Sequence, residues 1–335
     1  MSNLLEVKDL KTSFFTHVGE IQAVRGVSFE LNEGEALGLV GESGCGKSVT
    51  MMSIMGLLDE NGKITGGDVF LKGKNISKFT DKEMQSIRGN DISMIFQDPM
   101  TSLNPVYTIG NQIIEPLLKH RKISKKEAYN LAIKMLGLVG IPSPEKRMKQ
   151  YPHEFSGGMR QRAMIAMAIV NEPKIIIADE PTTALDVTIQ AQILELMKGL
   201  KEKINTSIIL ITHDLGVVAD ICSKICVMYG GLIVEEGYKD EIFYNPRHPY
   251  TLGLLESVPN PNKNERERLK PIEGQPPDLL KPPKGCPFAA RCKYTMKICT
   301  QNKPPFFEIE KGHKSACWLN HSDAPKIIFE KKGVE

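Results

Sequence analysis

Hydrophobic positions follow several rhythms along this chain. From residue 4 to 34 apolar and polar residues alternate, as in Leu5-Glu6-Val7-Lys8 and again over residues 21–31. That period of two predicts half-buried strands, closed by a turn at Asn32-Glu33-Gly34. Largely apolar runs at 36–40, 91–96, 174–178 and 207–212 predict buried strands, the third near-continuous and covered on both faces as in a parallel sheet. Gly66-Gly67 reads as a turn, with a strand following over residues 68–76. Helical periodicity occupies residues 49–58, 109–138 (clearest from 125), 157–170 and 188–203. Pro99 and Pro105 exclude a continuous helix there and set Gln97 at a strand-to-loop junction. Residues 140–152 form a proline-bearing connector, and residues 259–283, rich in proline and charge, read as an extended linker. Parallel strands alternating with helices, preceded by antiparallel ones, give an α/β fold.

Composition narrows the partners. Hydrophobic residues are 41% and charged residues 25%, as in an ordinary globular protein, and 335 residues suffice for one large domain plus an appendage. Lysine and arginine (43) nearly balance aspartate and glutamate (40), so no electrostatic argument favours nucleic acid. The first residues carry no apolar signal core, and no run of 18 apolar residues occurs; neither export nor membrane spanning is expected. Seven cysteines in such a chain favour thiols or metal ligands over disulfides.

The chemistry begins at Gly41-Glu42-Ser43-Gly44-Cys45-Gly46-Lys47-Ser48, a match to G-x-x-x-x-G-K-[ST] between the 36–40 strand and the helix that includes Val49. Glycines let backbone N–H groups turn toward a phosphate, and the helix start adds partial positive charge. Lys47 would reach the β- and γ-phosphates and the Ser48 hydroxyl would bind Mg²⁺, so a nucleotide is the expected ligand. One of Phe14 and Phe15 is a candidate platform for adenine, with Phe14 favoured, against packing of both in the core.

Three further sites follow. Ser156 precedes Gly157 and Gly158 at a helix start, a second anion-binding terminus, and Met159, Met164 and Met167 read as core filler on that helix. The run ending in Asp179-Glu180 sets two acids at the carboxyl end of a strand, where a phosphate-loop protein needs its Mg²⁺ carboxylate and a base. His213 follows the 207–212 strand in the corresponding position and is given a functional role over a structural one.

In this order these motifs resemble an ATP-binding cassette (ABC) ATPase, from the first strand to about residue 250. The resemblance implies a P-loop fold with a RecA-like parallel-sheet core, an antiparallel β subdomain and a helical subdomain at about 98–170. It makes residues 41–48 Walker A, Gln97 the Q-loop glutamine with a share in Mg²⁺ binding, and residues 175–179 Walker B. Glu180 is then the catalytic glutamate, Ala184-Leu185-Asp186 the D-loop and His213 the switch histidine. Ser156, Gly157, Gly158 and Met159 belong to the signature motif, which departs from the common Leu-Ser-Gly-Gly-Gln at Phe155 and Met159 while keeping the phosphate donors. Phe-Ser-Gly-Gly-Met-Arg-Gln-Arg is the form peptide importers tend to carry. Asn245 to Thr251, a proline-bounded turn, resembles the His-Pro-Tyr element of oligopeptide and dipeptide transporter cassettes.

Beyond the linker, in the region 251–335, Cys286, Cys292, Cys299 and Cys317 cluster in a small lobe with little apolar content. Cys292 and Cys299 are seven apart, so a helix would place both on one face. Four thiolates suit a [4Fe–4S] cluster or tetrahedral Zn²⁺, although no C-x-x-C pair is present; unligated thiols are the third reading. In the peptide-transporter cassettes that this tail resembles, it is associated with an iron–sulfur cluster. Cys45, Cys222 and Cys226 read as small buried hydrophobes.

The expectation is therefore an ATPase subunit of a peptide importer, peripheral on the cytoplasmic side of the membrane. Its partners would be two membrane permease subunits, a second cassette (a paralogue or itself) and, indirectly, an extracytoplasmic peptide-binding protein. Import of nickel complexes by the same mechanism, a soluble cassette ATPase of repair or translation, and a redox-sensing regulator are the rival readings.

Overall fold

The computed structural model describes residues 3–183, 185–257 and 271–327. The chain divides into two compact units. One comprises residues 32–36 and 78–211, the other residues 3–31, 37–77 and 212–335.

In the first unit, three strands run parallel: Ile92–Ile95 beside Ile175–Asp179, which lies beside Ser207–Thr212. Every residue of the second and third strands is buried. Their apolar middles follow from that burial, since the outward positions of the pleat also meet protein; only the end residues Asp179, Ser207 and Thr212 are polar. The periodic stretch 109–138 is two helices, Ile109–His120 and Lys125–Leu138. Ser124 divides them by starting the second with a capping box, its hydroxyl accepting from the Glu127 N–H while the Glu127 carboxylate accepts from the Ser124 N–H. The connector holds one helical turn, Pro144–Arg147, and a 3₁₀ turn, Pro152–Glu154. Helix Gly157–Ile169 begins at the predicted cap Ser156. Met164 is buried, as core filler should be; Met159 and Met167 are only half-buried. Helix Val187–Lys203 is capped by Asp186.

The second unit contains an antiparallel sheet in the order Gly19–Asn32, Asn3–Thr16, Gly62–Leu71, Lys74–Asn75. Gly66-Gly67 departs from expectation: both lie inside a strand, not in a turn. The pairing shifts register between Lys8 and Thr12: Asp9 (φ 45°) and Leu10 together face Gly67 (φ 83°), so the extra residue lies on the Asn3–Thr16 strand and the glycine stands opposite it. The result is a β-bulge, which a glycine pair signals as readily as a turn.

A second run of strands in this unit has the order Phe307–Glu310, His313–Ser315, Leu232–Tyr238, Lys224–Tyr229, Ala36–Val40. The last pair is parallel and the others are antiparallel. Gly230 and Gly231, both at positive φ, close the hairpin between Lys224–Tyr229 and Leu232–Tyr238. Helix Lys47–Met55 leaves the end of the Ala36–Val40 strand through the glycine loop. It stops three residues short of the predicted end because Gly56 takes the left-handed conformation.

The C-terminal region is tied to this unit by backbone and side-chain bonds. Arg25 donates to the carbonyls of Gly230 and Pro283, and the Gln22 N–H donates to the Leu279 carbonyl. Glu235, fully buried on the Leu232–Tyr238 strand, accepts from His313 Nε2 at 2.9 Å, from the Arg247 N–H at 2.5 Å and from the His248 N–H at 3.1 Å. Three chain segments therefore meet at one carboxylate. No helix among the described residues is long and apolar enough to cross a membrane.

Candidate nucleotide site and cysteine pocket

Two of the three glycines of the loop, Gly41 and Gly46, are packed so closely against backbone that no side chain fits, whereas Gly44 faces open space. At Gly46 φ is 102°, and a Cβ there would lie 2.5 Å from the Ala23 carbonyl oxygen. Lys47 is buried, and its ammonium donates to the carbonyls of Gly41 (2.7 Å) and Glu42 (3.0 Å), which folds the side chain back across the loop. The Thr50 hydroxyl donates to the Gly46 carbonyl at 2.8 Å, fixing the first helical turn. Ser43 and Gly44 are exposed, while Ser48 and Val49 are half-buried at the helix start. Cys45 is buried, and that burial raises its thiol pKa, with Lys47 opposing.

Glu42 is held on three sides. Its N–H donates to the Tyr250 hydroxyl at 2.7 Å, its carbonyl accepts from Lys47, and its carboxylate takes two bonds from Arg291. Tyr250 is fully buried against Tyr229 and Phe288, with ring centroids 4.5 and 5.3 Å away. Phe14 is half-buried and packs against Gly62; Phe15 is 47% exposed, with the Lys63 ammonium 6.0 Å from its ring. Exposure therefore leaves Phe15 the freer of the two faces. His213 is exposed at the end of its strand, and Asp214 beside it caps helix Leu215–Ile221 by accepting from the Gly216 N–H at 2.8 Å.

In the other unit, Asp179 is buried at the carboxyl end of its strand and Glu180 follows with φ of 44°. That left-handed conformation is uncommon outside glycine and costs of order 1 kcal/mol. It turns the Glu180 carboxylate to accept from Gln97 Nε2 and from the Thr183 hydroxyl, each at 3.0 Å. The Glu180 N–H donates to the Ile211 carbonyl at 2.9 Å, anchoring the turn. Gln161, fully buried, donates to the Pro181 carbonyl at 2.7 Å. Ser156 and Gly157 are exposed, Gly158 and Met159 half-buried, and the Ser156 hydroxyl accepts from the Met159 N–H. Asp186 accepts from the Ile189 N–H at 3.0 Å, and Leu185 precedes it half-buried; Ala184 lies outside the described residues. Gln97 and Glu180, 83 residues apart, are thus neighbours; Thr183 and Gln161 add to the contacts of this unit, and Tyr250 and Arg291 to those of the glycine loop in the other, and none of the four is a predicted site residue. Only Tyr250 carried a signal in the sequence, as part of His-Pro-Tyr.

Cys286, Cys292, Cys299 and Cys317 line one small pocket together with His248, Phe288, Tyr294 and Trp318. They do not reach it from one helix face, as the seven-residue spacing suggested. Helix Lys297–Gln301 contains Cys299 only, and Cys292 lies in extended backbone ahead of it. The 3₁₀ turn Ala289–Arg291 and the Cys286 N–H, which donates to the Cys299 carbonyl at 2.7 Å, fold the segment back on itself. All four are unbridged thiols. Burial pushes Cys286 up to about 11 and Cys317 up to about 12, with the neighbouring thiols adding to both.

His248 supplies a test of what the pocket accepts. Its Nδ1 accepts from the Tyr250 N–H at 3.1 Å, so the neutral ring carries its proton on Nε2, and that buried Nε2 has no partner. Burial lowers the His248 pKa to about 3, which keeps this tautomer neutral. A buried orphan donor beside four thiols fits a sulfur-rich group. Among the described residues, however, no three His, Cys, Asp or Glu side chains are arranged to hold a metal ion.

Comparison with known proteins agrees with the first half of this geometry. Residues 24–183 match the family model described as ABC transporter, and residues 234–299 match that of the oligopeptide/dipeptide transporter C-terminal region. The oligopeptide transport ATP-binding protein OppD of Bacillus subtilis (strain 168) is 58% identical over 328 residues, covering 98% of this chain and 92% of that protein. The dipeptide transport ATP-binding protein DppD of the same organism is 57% identical over 330 residues, 98% of each chain. Among solved structures, the dimeric post-hydrolysis state of the ATP-binding cassette MJ0796 bound to ADP and Pi superposes with a TM-score of 0.63 at 30% identity. That match covers 70% of this chain and 98% of the other. A glycine loop built for a triphosphate, an acid pair ending a buried parallel strand and a C-terminal peptide-transporter region on one chain have a single reading: it belongs to the ABC transporter family of ATPases, among the ATP-binding subunits of oligopeptide and dipeptide transporters.

Proposed function

We propose that this chain hydrolyses ATP to drive import of dipeptides or oligopeptides through membrane permease subunits. The observation that carries the reading is the full-length likeness to two peptide-transport ATP-binding proteins, joined to an intact phosphate loop. Residues 1–250 act as the ATPase domain and residues 251–335 as the peptide-transporter region. Residues 41–48 cradle the triphosphate, with Lys47 on the β- and γ-phosphates and an aromatic of the Phe14-Phe15 pair beside adenine. Ser48, Asp179 and Gln97 serve Mg²⁺. The Glu180 carboxylate polarises the attacking water, which adds to the γ-phosphorus as the bond to the β-phosphate oxygen breaks, giving ADP and inorganic phosphate. His213 stabilises charge on the transferring group.

Ser156, Gly157, Gly158 and Met159, with the 184–186 segment, face the nucleotide of a second cassette. ATP then favours the closed pair by its differential affinity, and hydrolysis releases it. The pair docks on two permeases at the cytoplasmic face of the membrane, fed from outside by a peptide-binding protein. Uptake driven by ATP in the reconstituted complex, assayed with a panel of dipeptides and nickel complexes, tests the cargo. Transport of nickel complexes but no peptide would overturn it.

The pocket favours a further assignment: Cys286, Cys292, Cys299 and Cys317 supply the thiolates for a [4Fe–4S] cluster, toward which His248 presents its Nε2–H. The alternative is a single Zn²⁺ held by the same four sulfurs. Bound there, the cluster would cross-link a lobe with little core of its own. Iron and zinc analysis of protein purified without air decides between them.

A further inference from the structure

An acidic residue in a phosphate-binding loop is an electrostatic liability, because its carboxylate repels the anion the loop is built to hold. Glu42 occupies such a position, with 27% of its side chain exposed. Arg291, 249 residues later, answers it with two bonds: Nη1 to Oε2 at 2.5 Å and Nη2 to Oε1 at 2.9 Å. The fork-to-fork geometry fixes the direction of the Glu42 side chain as well as its charge.

Arg291 is itself fully committed. Its side chain is only 4% exposed. Nη1 also donates to the Tyr229 hydroxyl at 3.1 Å, Nη2 to the Ile272 carbonyl at 2.9 Å and Nε to the Glu273 carbonyl at 2.9 Å. All five N–H donors of the guanidinium are therefore placed. The group lies 5.7 Å from the Tyr229 ring centre and 5.9 Å from that of Phe288. The bond to Glu42 holds the Arg291 pKa above its ordinary value.

The next residue is Cys292, and Phe288 and Ala289 line the cysteine pocket. The backbone that carries Arg291 is thus the backbone of the lobe, and the residue that Arg291 grips is the one whose carbonyl holds Lys47.

We propose that Arg291 is a positioning residue for ATP: it neutralises and aims Glu42, so that the affinity of the phosphate loop depends on the order of the cysteine-bearing lobe. The proposal rests on residues 41–48 being the triphosphate site. By linkage, ATP binding must order the lobe as much as the lobe favours ATP.

The test is a charge cycle in the full-length chain, reading the ATP Kd, with Lys47→Ala as control for the site itself. Arg291→Gln leaves a bare carboxylate in the loop and weakens ATP binding by roughly 5- to 150-fold, while turnover at saturating ATP stays within about threefold. Removing the carboxylate as well, in the double variant E42Q/R291Q, restores most of the lost affinity. A purely structural arginine would not be rescued in this way. Arg291→Lys keeps the charge but loses the fork, and falls between wild type and R291Q. Hydrogen exchange at residues 286–302 slows on ATP binding in wild type and does not respond in R291Q.

A wild-type Kd for R291Q, or a double variant no better than R291Q, overturns the proposal. Should R291Q not fold, R291K and E42Q still decide it, because unchanged affinity and unchanged lobe exchange in both would refute it. ATP binding by Lys47→Ala at wild-type strength would instead refute the site on which the proposal rests.

Discussion

Glu235 offers the sharpest measure of how the C-terminal region is held. Its carboxylate is fully buried and accepts three hydrogen bonds, from His313 Nε2 and from the N–H groups of Arg247 and His248. Glu235→Ala leaves those donors facing apolar surroundings. Each orphaned donor costs about 1–3 kcal/mol, and breaking a buried hydrogen-bonded ionic group typically costs about 3–5 kcal/mol. A loss of about 3–5 kcal/mol lowers the melting temperature by roughly 6–20 °C at 2–4 °C per kcal/mol. The internal control is Glu236, one residue on, paired with a half-exposed Lys314 at 3.2 Å. Glu236→Ala should cost no more than about 1 kcal/mol. Glu235→Gln falls between them, since the amide oxygen still accepts but its NH₂ meets another donor. Differential scanning calorimetry of the three variants decides it. Equal melting temperatures for E235A and E236A would refute the hub.

Glu180→Gln should lose hydrolysis by on the order of 10²–10⁴ while still binding ATP and trapping a cassette pair; phosphate release and size-exclusion measurements check both, and wild-type turnover removes Glu180 from the chemistry. Tyr250→Phe keeps the ring packing and deletes the acceptor of the Glu42 N–H, so it should destabilise by about 0.5–1.5 kcal/mol, against about 3–5 kcal/mol for Tyr250→Ala; chemical denaturation that finds the two equal would contradict the packing described. If the pocket holds the proposed cluster, Cys292→Ser should bleach any brown absorption of protein purified without air and lower any iron content; a colourless, zinc-containing wild type reverses the assignment of the pocket.

Much of the first half of the chain was legible because one physical requirement governs each stretch. A strand covered on both faces runs apolar through its middle, and Ile175–Asp179 and Ser207–Thr212 are buried at every position with polar residues only at their ends. A helix start beside phosphate needs glycine and a cap, and Ser156 and Gly46 stand where the sequence places them. Other features were not legible, for equally physical reasons. Gly66-Gly67 permits a turn or a bulge, and only the register of the partner strand chooses between them. Cys292 and Cys299 share a pocket through a 3₁₀ turn and a backbone bond, and neither has a periodic signature. The Arg291–Glu42 pair joins residues 249 apart. Charge alone does not announce such a partner when the chain holds 43 basic and 40 acidic residues.

The hairpin at Phe307–Glu310 and His313–Ser315 completes the pairing of strand Leu232–Tyr238, with Ser315 opposite Glu235 and the Ala316 N–H donating to the Val234 carbonyl. A polypeptide cut back to a minimal cassette at residue 256 would unpair Glu235, Glu236 and the Val234 carbonyl along that edge, beside the buried aliphatic residues Leu232, Ile233 and Val234. Such an edge recruits copies of itself. Shortened versions of this protein should accordingly accumulate as inclusion bodies, and attempts to obtain a compact ATPase for crystallisation would do better to keep the hairpin and shorten the chain elsewhere.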